Sequence, residues 1–397
     1  MIQSIANGLG REPEGRTSTR LLAALVCATG LALVGAPACA ADKEELRASM
    51  QSIFGSMQVL LPLSVDDDAF ADPAYRERIA TALANLSLRA GEVAGHAKSD
   101  EDRRIHFLAG SLEREAQETE KRFLDGETEG AQFFVQRLAD FCVACHSGLP
   151  SRSDSPLAVD FVDESQLKSL PPDRRALLQV ATRRFDDALT TWEAWFASTS
   201  VHIAELLDPL TDYLTVAIRV KNDLERPVPT LEKLADRKDI WAHLRGDLHE
   251  WVATLKAHAK LDERAPSLAN ARRTLEEARA VIQFPSDRRA LVHYLLASSE
   301  LHRWIEANES AGSADLAEAY YWLGLVETRI NGNYWVSESD FYLETAVRLA
   351  PRSDVGRRAF ALLEEETLLG WTGSAGTLIP SDVSERLAEL RALTEGE

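Results

Sequence analysis

Apolar side chains at Leu46, Met50, Ile53, Met57, Leu60 and Leu61 return every three to four residues. That is the 3.6-residue period of an amphipathic helix, and it recurs along the chain, while no run alternates apolar and polar residues as a half-buried strand does. The chain is therefore expected to be all-α. Up to Pro150 the punctuation predicts four helices, at about 43–62, 73–97, 100–124 and 128–147. VDDDAFADP (65–73) breaks the first, and Asp72-Pro73 opens the second. Ser99 with Asp102 reads as a capping box for the third, which Asp125-Gly126 closes. Gly148 and Pro150 stop the fourth. Long amphipathic helices joined by short connections make an antiparallel four-helix bundle, whose cofactor sites lie between facing helices.

The first 40 residues read differently. Arg11, Arg16 and Arg20 precede LLAALVCATGLALVGA (21–36), and Ala38-Cys39-Ala40 follows. A basic start, a short apolar run and an Ala-x-Ala exit describe a secretory signal peptide cleaved after Ala40. The run is short of the ~20 residues of a membrane span, and Ala36-Pro37-Ala38 is a poor lipoprotein signal before Cys39. The expected mature chain is exported, periplasmic, and without a membrane span.

Cleavage removes Cys27 and Cys39 and leaves Cys142 and Cys145, in FCVACHSGLP (141–150). An oxidising compartment favours a disulfide, but a thioredoxin-type pair needs a strand before it and a βαβ context. A zinc site needs further Cys or His at ligand spacing. C-x-x-C-H is the spacing of c-type haem attachment. Positions i and i+3 share a helical face, which lets both thiols reach one porphyrin edge, and His146 can turn its imidazole to the iron. The motif points to one covalent haem c on Cys142 and Cys145 with His146 as metal ligand; a redox disulfide is the alternative. Met1, Met50 and Met57 all precede Cys142, so a methionine ligand would come from upstream.

Four helices with CVACH on the last resemble the class II cytochromes c, the cytochrome c′ family, over roughly residues 43–148. The resemblance implies a position on the first helix facing the open side of the iron: a Met ligand in the low-spin branch, a non-coordinating residue in the high-spin one. A second Met often stands seven positions on, as Met57 does from Met50, so Met50 takes the distal place and Met57 is read as core. The chain departs from the family in having SGLPSRSD after the histidine and Arg47 three positions before Met50, where four is the pattern. His96 and His106 are backup ligands, read first as solvated. Many relatives are homodimers, which the resemblance leaves open here.

After a linker at 149–156 the composition changes. All eight Trp and six of seven Tyr lie beyond residue 190. Helices are expected from Pro172 to about Ser198 and then at about 201–224, 237–258, 265–283, 286–307, 314–331, 338–350, 353–370 and 381–394. PPDRRALL (171–178) recurs as PSDRRALV (285–292). AEAYYWLGLVETRI…FYLETAVRLAP, within 317–351, resembles a tetratricopeptide repeat (TPR), with Leu323-Gly324 in its first helix. Residues 157–397 are accordingly expected to form an α-solenoid-like, TPR-like domain, since such helix pairs bury their faces by stacking. The aromatic group Tyr320, Tyr321, Trp322, Tyr334, Trp335, Phe341 and Tyr342 suits such a core or an interface.

The net charge is −19. The leader's three Arg against Glu12 and Glu14 leave the remainder one unit more negative. This argues against nucleic acid and anionic membrane and suits a basic redox partner protein steered by charge. His202, His243, His249, His258, His293 and His302 are scattered, and no catalytic motif stands out, so no catalytic residue is assigned and enzyme activity is not expected. Electron transfer ranks first, then binding or sensing of a small gas such as NO or CO at an open iron, then an interaction scaffold with a structural haem.

Overall fold

The structure is a computed structural model. It describes residues 36–97, 103–147, 167–168, 170–198, 201–260, 265–284, 287–308, 310–330, 338–374 and 376–395. The leader (1–35), the expected capping box (Ser99, Asp102), the linker (149–156), and Tyr334 and Trp335 lie outside the described residues. The chain divides into two compact units, 1–48 and 49–397. Of the first, the described part is the opening of helix α1 (Ala36–Ser64). The rest concerns the second.

The all-α expectation is met: apart from a two-stranded hairpin pairing Thr372–Gly373 with Gly376–Thr377, the described elements are helices. No described helix is long and apolar enough to cross a membrane. The stripe on α1 packs as its period requires, with Ile53, Leu60 and Leu61 buried and Met57 only 1% exposed. A short α2 (Asp67–Ala71) is capped by the Asp66 side chain, which accepts from the Ala69 amide at 3.0 Å. Asp72 accepts from the Ala74 amide at 2.8 Å and starts α3 (Pro73–His96), with Pro73 in the first turn, where its missing N–H costs nothing. Asn85 of α3 donates to the Ser52 and Ser56 hydroxyls of α1 at 2.9 and 2.8 Å. α3 packs along α4 (Arg103–Leu124). Gly126 at φ +90° ends that helix; the Glu127 amide bonds back to the Arg122 carbonyl at 2.9 Å, a turn in which a Cβ would be strained.

The helix expected at 128–147 is two helices, α5 (Thr128–Leu138) and α6 (Asp140–Ser147). At Ala139 the ladder tightens, and the Cys142 amide bonds to the Ala139 carbonyl at 3.0 Å, three residues back. The helix expected at 172–198 is likewise two, α7 (Pro172–Ala181) and α8 (Phe185–Phe196), because Arg183 takes φ +60° between them. The 201–224 segment begins as a 3-10 turn, continues as α9 (Leu207–Thr215) and widens into a π-helical turn at Val216–Val220. α10 (Pro227–Ala235) was not expected; it falls between the helices expected at 201–224 and 237–258, and Pro227 is its first residue.

The remaining helices are α11 (Ala242–His258), α12 (Leu268–Val281), α13 (Leu291–Ala307), α14 (Ser313–Ile330), α15 (Glu338–Leu349), α16 (Asp354–Gly370) and α17 (Ser381–Glu395). From α12 to α17 each helix touches the next in sequence, and α14–α16 and α15–α17 also touch. Gly324 sets the closest approach: a Cβ there would stand 2.5 Å from Leu343 of α15.

Candidate functional site

Three of the four predicted site residues, Cys142, Cys145 and His146, lie together on α6. This helix is held from several directions, touching α4, α5, α7 and the π-helical turn. At its start Asp140 lies 2.8 Å from Arg137 of α5. At its middle the Ala144 carbonyl accepts from Arg104 Nη2 of α4. At its end His146 meets α7.

The two thiols occupy positions i and i+3 of one helix, half-buried and not joined to each other. Burial pushes both up to about 12, with the neighbouring thiol and Asp140 adding to the effect at Cys142 and Arg104 opposing it at Cys145. A dithiol that exchanges disulfides needs a thiolate stabilised near neutral pH; these surroundings do the reverse.

His146 is 9% exposed, and its Nδ1 lies 3.2 Å from the Val180 carbonyl oxygen in the last turn of α7. A carbonyl only accepts, so Nδ1 carries the proton and Nε2 holds the lone pair. Nε2 has no hydrogen-bond partner among the described residues. Burial lowers the imidazole to about 4, so it is neutral at pH 7. A metal-binding imidazole is commonly fixed in this way, one nitrogen donating to a carbonyl while the other faces the ion. The donor set thus fits haem c: two uncharged thiols on one face and one oriented, neutral imidazole. Among the described residues no cluster of three or more His, Cys, Asp or Glu is placed to hold an ion directly.

Met50 lies on α1, half-buried, whereas Met57 is in the core. Of the backup ligands, His106 Nδ1 donates to the Ala94 carbonyl of α3 at 2.8 Å, and His96 is in the last turn of α3.

Behind α6 stands a buried polar network that the sequence did not disclose. Arg104 Nε donates to Glu338 Oε1 and to the Tyr342 hydroxyl, both at 2.8 Å, and its Nη2 also donates to Glu338. Burial works against the guanidinium charge, but the Glu338 carboxylate more than offsets it. A second pair, Arg219 of the π-helical turn with Glu327 of α14, is buried on both sides, and Ser298 Oγ donates to Glu327 at 3.3 Å. Burial pushes Glu327 up and Arg219 pulls it down. No spacing signals these partners, because each pair joins distant parts of the chain. The Val180 carbonyl is invisible for another reason: a backbone acceptor has no residue type.

No protein-family model, no curated protein and no solved structure matches the chain.

Proposed function

We propose that the chain is an exported, periplasmic monohaem c-type cytochrome that transfers electrons. Residues 41–148 form a cytochrome c′-like four-helix bundle, and 157–397 form a TPR-like helical-repeat domain that docks a redox partner of basic surface. Cys142 and Cys145 are the thioether attachment points and His146 Nε2 the proximal iron ligand, with Met50 on the distal side. When bound, the group supplies a reversible one-electron couple. The chain's part is to hold the imidazole neutral and oriented, to keep both thiols un-ionised until they are joined, and to shield the site between helices.

The observation that carries this reading is the hydrogen bond from His146 Nδ1 to the Val180 carbonyl, which presents Nε2 as a ligand. The raised thiols support it over a redox pair. The repeat reading is supported by Gly324, whose missing side chain lets α14 close on α15.

The test is the optical and EPR spectrum of the purified exported protein, oxidised and reduced, with and without carbon monoxide, beside a Cys142→Ala/Cys145→Ala variant. Pigment that survives denaturing extraction in the native protein and is lost from the variant is expected; pigment retained by the variant overturns the attachment. A low-spin iron indifferent to carbon monoxide places Met50 on it. A high-spin iron that binds carbon monoxide returns Met50 to packing and moves gas binding ahead of electron transfer.

A further inference from the structure

On the flank of α6 formed by Asp140, Val143, Ala144 and Ser147 lies a cavity of about 260 Å³, lined on its other sides by Arg137, α9, the π-helical turn and Arg288. Its lining is polar and its hydrogen bonding incomplete in two opposite senses. On the acidic side, Asp140 Oδ2 is ion-paired with Arg137 Nη2 at 2.8 Å. Asp212 makes no hydrogen bond or close ion pair among the described residues; burial, with Asp140 and Asp208 beside it, pushes its carboxyl well above the usual range. On the donor side, Arg219 gives Nη2 to Glu327, and Arg288 gives Nη2 to the Leu207 carbonyl at 2.6 Å and the Thr211 hydroxyl at 2.7 Å. The Nε of each is buried without a partner, as is Ser147 Oγ, whose residue is only 4% exposed.

Buried groups left unpaired cost free energy, more when charged. A cation would serve Asp212 and leave the guanidinium edges and Ser147 unmet; an anion would do the reverse. Either would also bring an uncompensated charge into a buried place. A molecule with an ammonium at one end and a carboxylate at the other meets both sets of groups and adds no net charge. The volume lies below the ~300–1,000 Å³ of drug-sized pockets, which limits the ligand to a few heavy atoms. We propose that this cavity binds a small zwitterion of the free amino-acid class, its ammonium toward Asp212 and its carboxylate toward Arg219, Arg288 and Ser147.

Calorimetric titration of the purified full chain, with whatever cofactor it carries, tests the assignment. The probes are glycine, alanine, serine, lysine and glutamate, with methylamine, acetate and glycerol as partial or neutral mimics. Saturable binding of at least one amino acid is expected, with every mimic at least about tenfold weaker and Asp212→Asn and Ser147→Ala each weakening binding about tenfold or more. The assignment falls if no amino acid binds up to about 10 mM, if acetate, methylamine or glycerol binds as well as the amino acid, or if both variants bind as the native chain does. Should Asp212→Asn fail to fold, the comparison with the mimics and Ser147→Ala still decide.

Discussion

Arg104 and Glu338 stand 234 positions apart and share one ion pair, with Arg104 Nε 2.8 Å from Glu338 Oε1. The pair joins the start of α4 to the start of α15, and the same guanidinium holds the Ala144 carbonyl in the middle of the cysteine helix. Removing one partner strands a buried charge. Glu338→Met or Arg104→Met is therefore expected to lower stability by about 3–5 kcal/mol, whereas the two together cost much less than the sum. Urea unfolding of the four forms checks this; additive losses would show that the two residues do not act as a pair.

Gly324→Ala drives a methyl against Leu343, which sits 2.5 Å from where that Cβ would be. Overpacking of this kind costs about 1–3 kcal/mol. Leu343→Ala alone opens a cavity and also destabilises, by about 2–5 kcal/mol. The double variant should lose less than both losses together, because the new methyl enters the space that leucine leaves. A thermal melt of each form reads the coupling.

His293 is buried, with Nε2 3.4 Å from the Thr254 hydroxyl and Nδ1 unpaired. Burial first, then the nearby His258, lowers it to about 4, with Glu277 pulling the other way. Against an ordinary value of about 6.5, the folded protein prefers the neutral ring. Stability from this group is present above pH ~6.5 and is lost as pH falls toward 4, about 3 kcal/mol in all. His293→Leu should flatten the stability–pH curve in that window by about one proton's slope. An unchanged slope in denaturant titrations at several pH values would refute the assignment.

The two methionines of α1 separate in the same experiment. Met57→Ala removes a core side chain and is expected to cost about 2–5 kcal/mol while leaving the absorption spectrum of the holoprotein as it was. Met50→Ala, at a half-buried position, should cost little stability and change the spectrum and carbon monoxide binding. The reverse pattern would exchange their roles.

The sequence reading succeeded where the signal is local. The stripe on α1 gave its buried face, Asp72-Pro73 gave the start of α3, and Gly126 gave the end of α4. It failed where one residue's conformation or a distant partner decides. Arg183 at positive φ divides α7 from α8, and arginine carries no sign of that choice. Between the helices expected at 201–224 and 237–258 the chain forms α10, which opens on Pro227, a residue whose fixed φ suits a first helical turn. Cys142, Cys145 and His146 fall on one helix because the motif is a local stretch of chain. Arg104, Glu338, Asp212 and the Val180 carbonyl were not legible, since each matters only through what folding brings beside it.

The bond from His146 to Val180 bears on how such a chain is inherited. The C-x-x-C-H motif is encoded before the 149–156 segment and the acceptor that turns its imidazole comes after it. A recombination event that moved the motif-bearing segment to another gene would carry both thiols and the histidine but not the carbonyl. The transplanted ring would be free to rotate or to take the other tautomer, so the transferable piece must extend at least through α7.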